Sequence, residues 1–290
     1  MKLSHAFTAM LLCAQSFMPQ AHSEGNCHYH AQALPGSWQQ LIAPPPSPTW
    51  TPNAPLLLTD GSLLINNIGA PDTWKLTPDR YGSYINGTWL QVASLPIIDG
   101  IQYAPSFYGS AVLPDGRVIY VGGEYNQGED ALTNMGAIYD PVLDVWTPVS
   151  PPVVNGTPLA AIGDAPSVVL DNGTFMFGSI FPLATPISSG PTTFLLNPKT
   201  LTWTASGFGK YDSCDEEGFT LLPNGKVLTV TTNVNRNGAP PNPTLAQLYN
   251  PRTGSWAGDS STVNPLSDYG YTYEIGPQVL RPNGTVFTPG

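Results

Sequence analysis

The chain has 290 residues, of which 41% are hydrophobic and 10% aromatic, so it is long and apolar enough to bury a full core. Twenty acidic against ten basic residues give a net charge of −10, and the sequence has no basic cluster that could neutralise phosphates, so nucleic acid is not an expected partner. Thirty-two prolines and 29 glycines without a collagen-like period predict many short elements, and no apolar run beyond the N-terminus is long enough to span a membrane.

The N-terminus has the organisation of a secretory signal peptide. An apolar stretch follows Lys2, and Ala21-His22-Ser23 fits the small-x-small cleavage pattern. We therefore predict a signal peptide at residues 1–23, an N-terminal tail at residues 24–36, and a secreted or periplasmic protein.

One short pattern recurs five times along the chain. Each copy is an apolar run, then Asp-Gly or Asn-Gly, then a second apolar run, as in LLLTDGSLLI and AVLPDGRVIYVGG. Glycine tolerates the positive φ that a tight hairpin requires, so each copy is predicted to be a β-hairpin. The turn glycines, 52 to 59 residues apart, are Gly61, Gly116, Gly173, Gly225 and Gly284.

A second predicted hairpin follows in each repeat and ends in a tryptophan. In IYDPVLDVWT, LLNPKTLTWT and LYNPRTGSWA, an apolar residue lies seven positions before the tryptophan, with Asp-Pro or Asn-Pro starting the turn between them. The first repeat reaches its tryptophan through a longer loop. One unit is therefore four strands, and the fourth strands carry Trp89, Trp146, Trp203 and Trp256.

Four-stranded units of about fifty residues cannot bury their own faces, and they stack around an axis as the blades of a β-propeller. We predict an all-β fold for residues 37–290, with four complete four-stranded blades and a partial fifth. Trp38 is interpreted as part of a fourth strand with no first three before it, and Gly290 falls in the second strand of the fifth repeat. The pattern thus predicts a C-terminally truncated ring, a fragment of a propeller. The first strands are expected near residues 55, 109, 166 and 218.

These motifs resemble the kelch-repeat proteins, and among them the galactose oxidase central-domain superfamily. The Gly122-Gly123 pair after the second strand, followed by Tyr139 and Trp146, fits the kelch signature. A nearer resemblance is to a group of uncharacterised secreted bacterial kelch-repeat proteins, through GRVIYVGGEYN and DEEGFTLLPNGKVLTV. The resemblance implies a kelch-type propeller and specifies no chemistry, because propellers host many unrelated functions.

The densest charge in the chain lies in SCDEEG, directly before the first strand of the fourth unit. In a propeller the innermost strands line the central channel, so the residues before them form its upper rim. Acidic and tyrosyl groups recur at this position, and their oxygens suit a small polar ligand or a hard cation such as calcium. Like charges repel and strand side chains alternate, so at most two of the three consecutive carboxylates are expected to share one site. The candidate ligand-binding residues are Tyr108, Asp164, Asp215, Glu216, Glu217, Tyr273 and Glu274.

Three interpretations of function stay open at this point. The first is a binding module whose rim takes a small polar ligand, a carbohydrate or a protein. The alternative is a propeller-based enzyme of carbohydrate or redox type, with catalytic groups partly in the missing blades, and the third is a purely structural module whose rim carboxylates tie neighbouring blades together. No catalytic residue is predicted. Copper-radical oxidation is not expected, because galactose oxidase relatives need histidine ligands and all four histidines precede the first blade: His5, His22, His28 and His30.

Two cysteines remain once Cys13 is removed with the signal peptide. Cys27 and Cys214 are candidates for a disulfide in an oxidising compartment. Cys214 is not a predicted nucleophile, because the neighbouring carboxylates raise the pKa of a thiol.

Overall fold

The computed structural model describes residues 37–41, 50–232, 244–267 and 274–289, and the fold is stated for these residues. The all-β prediction is confirmed, because the one helix in these ranges is a 3₁₀ turn at Ile187–Ser189. Within the same ranges, no helix has the length and apolar character to cross a bilayer. The strands, in chain order, are β1 (Pro52–Leu57), β2 (Leu63–Asn67), β3 (Thr73–Thr77), β4 (Thr88–Val92), β5 (Ile97–Ile98), β6 (Ile101–Gln102), β7 (Pro105–Ser106), β8 (Gly109–Val112), β9 (Val118–Val121), β10 (Tyr125–Asn126), β11 (Glu129–Asp130), β12 (Gly136–Asp140), β13 (Val145–Pro148), β14 (Val153–Val154), β15 (Thr157–Pro158), β16 (Ser167–Val169), β17 (Phe175–Gly178), β18 (Thr193–Asn197), β19 (Thr202–Ser206), β20 (Thr220–Leu221), β21 (Val227–Val230), β22 (Leu245–Asn250), β23 (Ser255–Ser261), β24 (Val279–Leu280) and β25 (Val286–Phe287).

Four antiparallel sheets have four strands each, and in every one the strands pair in chain order. The first sheet is β1-β2-β3-β4, the second β8-β9-β12-β13, the third β16-β17-β18-β19 and the fourth β20-β21-β22-β23. Their first strands begin at Pro52, Gly109, Ser167 and Thr220, close to the expected positions. β24 and β25 form a two-stranded hairpin in the fifth repeat, and the remaining strands form short hairpins and a small three-stranded sheet between the larger ones.

The turn between the first and second strands has the same structure in all five repeats. The turn glycines have φ between 77° and 88°. The amide of each turn glycine donates to the carbonyl three residues earlier, at 2.9 to 3.0 Å. The Asp or Asn before each glycine accepts a hydrogen bond from the amide two residues later, as Asp60 does from Ser62 and Asn283 from Thr285. The repeated sequence therefore specifies one repeated, locally closed turn.

The tryptophans of the fourth strands occupy one register position. The paired residues are Leu76 with Trp89, Tyr139 with Trp146, Leu196 with Trp203, and Tyr249 with Trp256. The indole Nε1 of Trp146 donates to the carbonyl of Ala93 at 2.9 Å, and that of Trp203 donates to Ser150 at 2.8 Å. Each of these two bonds reaches the segment that leaves the preceding sheet, so the tryptophan fastens its sheet to the previous one.

Successive sheets bury apolar cores between their faces. The aromatic residues Tyr120 and Tyr139 fill the core between the first and second sheets, and Phe177 and Phe194 fill the next one. The first strands also lie side by side, β1 by β8, β8 by β16, β16 by β20 and β20 by β24. Stacked faces with neighbouring first strands are the arrangement expected of sheets around a common axis.

The segment around Trp38 does not form the predicted strand. Residues 37–41 are irregular, and Trp38 is 58% exposed. Within the described residues this segment pairs with no sheet, so the structure shows no fourth strand at Trp38.

Candidate functional site

The polar groups of interest lie at one end of the sheets. Because the strands are antiparallel and pair in chain order, the loops between second and third strands share an end with the loops that enter the first strands. We call this the acidic end. The Asp-Gly and Asn-Gly turns lie at the opposite end.

The Gly122-Gly123 pair brings two acidic loops together at the acidic end. The Gly123 amide donates to the carbonyl of Gly163 at 2.7 Å. A Cβ on Gly122 would lie 2.2 Å from that same carbonyl oxygen, and both glycines have positive φ. The close approach thus requires glycine. Glu124 directly follows this glycine pair, and Asp164 directly follows Gly163. The contact between the two loops therefore brings the backbones that carry Glu124 and Asp164 close together.

The same junction recurs between the third and fourth sheets. Gly178-Ser179 occupies the position of the double glycine, and the Ser179 carbonyl accepts the amide of Cys214 at 2.8 Å. A Cβ on Gly178 would lie 2.4 Å from the Cβ of Cys214. The Thr232 hydroxyl donates to the backbone carbonyl of Asp215, which follows Cys214 in the sequence. These contacts fix the backbone that carries Asp215.

Three of the predicted residues converge at this point. Carboxylate oxygens of Asp164, Asp215 and Glu216 all lie within 4.8 Å of one another, and each side chain is half-buried. Asp164 comes from the loop entering the third sheet, and the other two come from the loop entering the fourth. Glu216 has a φ of 58°, which is in the left-handed region. Because of this backbone conformation, the side chains of Glu216 and Glu217 point in different directions.

The carboxyl groups of the cluster raise one another's pKa values. Burial, together with the charges of Asp164, Asp215, Glu274 and Glu124, raises the pKa of Glu216 to about 8. Burial also raises the pKa of Glu124, and the charges of Asp164, Asp130 and Glu274 add to that shift. The acidic end therefore concentrates negative charge from four successive repeats, and a cation bound there would reverse these shifts.

An aromatic pair borders the carboxylates. Phe107 and Tyr125 contact edge to face, with ring centroids 6.1 Å apart. Phe107 is 49% exposed and has a φ of 50°, which is rare for a bulky side chain. The charge of Glu124 raises the pKa of the Tyr125 hydroxyl, which shows how near the ring lies to the acidic residues. The site thus has an acidic centre and an aromatic edge.

The other predicted residues lie elsewhere. Tyr108 packs against Tyr120, with centroids 4.5 Å apart, and its hydroxyl donates to Asn66 at 3.3 Å, between the first and second sheets. Glu217 is buried, and its carboxylate accepts hydrogen bonds from Lys210 and Thr229. Two of the three consecutive carboxylates therefore share the cluster and the third does not.

Three further assignments concern residues at the edge of what the structure describes. Glu274 is described and contributes to the charge at the acidic end, whereas Tyr273 lies outside the described residues. Cys214 is buried, and burial raises the pKa of its thiol, which agrees with a packing role. Cys27 also lies outside the described residues, so the Cys27–Cys214 disulfide stays a prediction.

Sequence reasoning missed Glu124 and Lys210. Glu124 follows the double glycine, and a signal for it was present because that pair marks the point where the backbone approaches the next unit. Lys210 gave no signal, because its ionic partners depend on how the following loop folds back over the fourth sheet.

Comparisons with known proteins bear on the fold. No protein-family profile matches the chain, and no curated protein matches its sequence. Among solved structures, a streptogramin B lyase superimposes with a TM-score of 0.53 at 12% identity, covering 84% of this chain and 64% of that one. A virginiamycin B lyase from Staphylococcus aureus gives a TM-score of 0.52 at 11% identity, covering 83% and 63%. The chain thus spans just under two thirds of the length of these structures.

These two structures are β-propellers. The chain has a β-propeller-like fold. At 11 and 12% identity the similarity concerns the fold alone, so the chemistry of the acidic end has to be argued from its own residues.

Proposed function

We propose that this chain is a secreted or periplasmic kelch-type propeller that acts as a ligand-binding module, with the acidic end as its binding site and a hard divalent cation such as calcium as the primary ligand. The observation that carries the proposal is the meeting of Asp164, Asp215 and Glu216 within 4.8 Å, from loops of two different sheets. Calcium takes six to eight oxygen ligands in flexible geometry, and carboxylates from separate loops supply such oxygens.

The electrostatics favour a cation over a purely structural role. A carboxylate that serves only to accept hydrogen bonds from a neighbouring sheet has a lowered pKa, because those bonds stabilise its charged form. The pKa of Glu216 is instead raised to about 8. Burial is the largest cause of this rise and the neighbouring carboxylates add to it, so a bound cation would lower the pKa of Glu216 again.

The aromatic edge extends the site toward an organic ligand. Aromatic faces beside fixed polar groups are typical of small-ligand sites, and the exposed Phe107 ring lies against Tyr125. A polar molecule such as a carbohydrate would stack on this edge while its hydroxyl groups complete the coordination of the cation. The kelch assignment is supported by the Gly122-Gly123 pair and by the Tyr139–Trp146 pairing.

The test is thermal unfolding with calcium and with chelator. Calcium at one hundred times its dissociation constant should stabilise the folded state by about 2.7 kcal/mol, because it binds only that state. The double variant Asp215→Asn with Glu216→Gln should lose this response. The matched control is Asp99→Asn with Asp171→Asn, which removes the same charge from exposed turns. A midpoint that does not respond to calcium in the unmodified chain would contradict the proposal.

A second candidate function is hydrolytic or eliminative acid–base catalysis, and the pKa of Glu216 is the observation that favours it. A carboxyl group with a pKa of about 8 keeps its proton near neutral pH and can donate it to a leaving group. Asp164 and Asp215 would then supply the negative charge beside it. Turnover of a polysaccharide panel that disappears in Glu216→Gln, without calcium dependence, would favour this enzyme over the binding module.

A further inference from the structure

The fourth sheet differs from the second and third at one buried position. On the second strand, four residues after the turn glycine, the second sheet has Tyr120 and the third has Phe177. These rings pack on the tryptophans of their own sheets, with centroids 4.9 Å and 5.2 Å apart. The fourth sheet has Thr229 there, and the ammonium group of Lys210 lies 5.5 Å from the ring centroid of Trp256. A cation thus occupies the place of an aromatic ring over the tryptophan.

Lys210 is the centre of a closed ionic network. Its Nζ donates to Oδ1 of Asp212 at 2.6 Å and to Oε1 of Glu217 at 2.8 Å. The Thr229 hydroxyl donates to the other oxygen of Glu217 at 2.7 Å. The three charged side chains are completely buried. Two carboxylates share one ammonium group, and Oδ2 of Asp212 is buried without a hydrogen-bond partner in the described part of the chain.

Stability does not explain this network. Removing charges from water costs several kcal/mol per ion, and apolar side chains of similar volume usually replace a buried ion pair without loss of stability. The second and third sheets show that the same architecture accommodates an aromatic ring at this position. The network therefore needs a reason other than the free energy of folding.

The residues of the network flank the acidic cluster in sequence. Lys210 and Asp212 lie before Asp215 and Glu216, and Glu217 lies directly after them. The two salt bridges close this stretch of eight residues into a loop whose ends are fixed inside the protein. Between the buried residues Asp212 and Glu217, Asp215 and Glu216 are half-buried and lie at the acidic end.

We propose that the Lys210–Asp212–Glu217 network is a positioning device that holds Asp215 and Glu216 beside Asp164; this inference rests on the proposed function of the acidic end. The carboxylates of Asp164 and Asp215 lie within 4.8 Å of each other and repel, so without an anchored backbone the loop would relax away from Asp164. The buried ammonium group of Lys210 fixes the loop from the inside, and Asp215 and Glu216 are held at the acidic end beside Asp164.

The experiment replaces the network with apolar side chains: Lys210→Met, Asp212→Ala and Glu217→Met together. The matched control is Thr231→Val, at a residue directly after β21 whose buried hydroxyl has no partner within the described ranges. Three quantities are measured on each protein: the unfolding midpoint, calcium affinity by titration calorimetry, and hydrogen exchange at residues 213–217, where the Cys214 amide is bonded to Ser179.

The triple variant is expected to fold with a midpoint close to that of the unmodified chain, whereas its calcium affinity falls about tenfold or more and its amides at residues 213–217 exchange about tenfold faster. The control should change none of the three quantities. Unchanged exchange in the triple variant would overturn the inference, and so would faster exchange with unchanged affinity.

Two further outcomes are covered by the same design. If the unmodified chain binds no calcium, the proposed function fails, and the exchange of residues 213–217 alone decides whether the network positions the loop. If the triple variant does not fold, the single variant Glu217→Gln, which keeps the side-chain shape and weakens one salt bridge, is submitted to the same three measurements and judged by the same outcomes.

Discussion

Replacing Glu216 with glutamine should remove a pH-dependent loss of stability. Burial, together with Asp164 and Asp215, raises the pKa of Glu216 from its ordinary value of 4.5 to about 8. Between these two values the folded chain holds a proton that the unfolded chain has lost, so the free energy of unfolding falls as the pH rises. The stabilising contribution of this group is fully present below a pH of 4.5 and is lost as the pH passes about 8.

The magnitude follows from the size of the pKa change. A rise from 4.5 to about 8 corresponds to at most about 5 kcal/mol, at about 1.4 kcal/mol per pH unit. Because the carboxyl group is partly exposed, solvent screening reduces this to roughly 2 kcal/mol. Glutamine has the same shape and no charge. We therefore expect Glu216→Gln to be about 2 kcal/mol more stable than the unmodified chain at about pH 9 and equally stable at about pH 5.

The assay is urea unfolding followed by tryptophan fluorescence at a series of pH values, in chelator. Burial also raises the pKa of Glu217 to about 8, so the unmodified chain and the variant share that part of the pH dependence, and only their difference reports Glu216. Glu129→Gln, at an exposed glutamate of β11, is the matched control and should leave the curve unchanged. Parallel curves for the unmodified chain and Glu216→Gln would refute the reasoning.

Two more substitutions test the junctions between sheets. Gly122→Ala places a Cβ 2.2 Å from the Gly163 carbonyl oxygen at a residue with positive φ. It should lower the free energy of unfolding in urea by about 2 to 4 kcal/mol and weaken calcium binding. Gly128→Ala, also at a positive φ but with open space around it, should lower it by only about 1 kcal/mol. Equal costs would contradict the packing argument. Trp203→Phe should cost about 1 kcal/mol, because it loses the indole hydrogen bond to the carbonyl of Ser150, and an unchanged midpoint would show that this bond does not fasten the sheets.

The parts of the fold that could be predicted from the sequence are the turns and hairpins, each of which is specified by a few neighbouring residues. An Asp-Gly or Asn-Gly pair specifies its own turn, and an apolar residue seven positions before a tryptophan specifies a hairpin, so the four-stranded sheets followed from local rules. The two-residue strands β5, β6, β14 and β15 were not predicted, because such short segments carry no periodicity.

The candidate site was only partly predictable for a physical reason. The position of Asp164 and Asp215 followed from their place before first strands. The inward turn of Glu217 depends on the left-handed backbone of Glu216 and on the buried partner Lys210, and neither is encoded next to it in sequence. Glu124 enters the site through a contact with the loop of the next sheet, about forty residues away.

The five identical turns also have a consequence for how the chain reaches its folded state. Each turn is closed by hydrogen bonds among five consecutive residues, and the strands of each four-stranded sheet pair in chain order. All the strands of one four-stranded sheet lie within about forty residues of sequence, so the loop-closure entropy of forming a single sheet is moderate. A sheet can form wherever its turn closes first, and its neighbours then add on either side. In a repeat architecture folding can begin in any unit and propagate to its neighbours, so we expect a defect in one turn to delay mainly its own sheet.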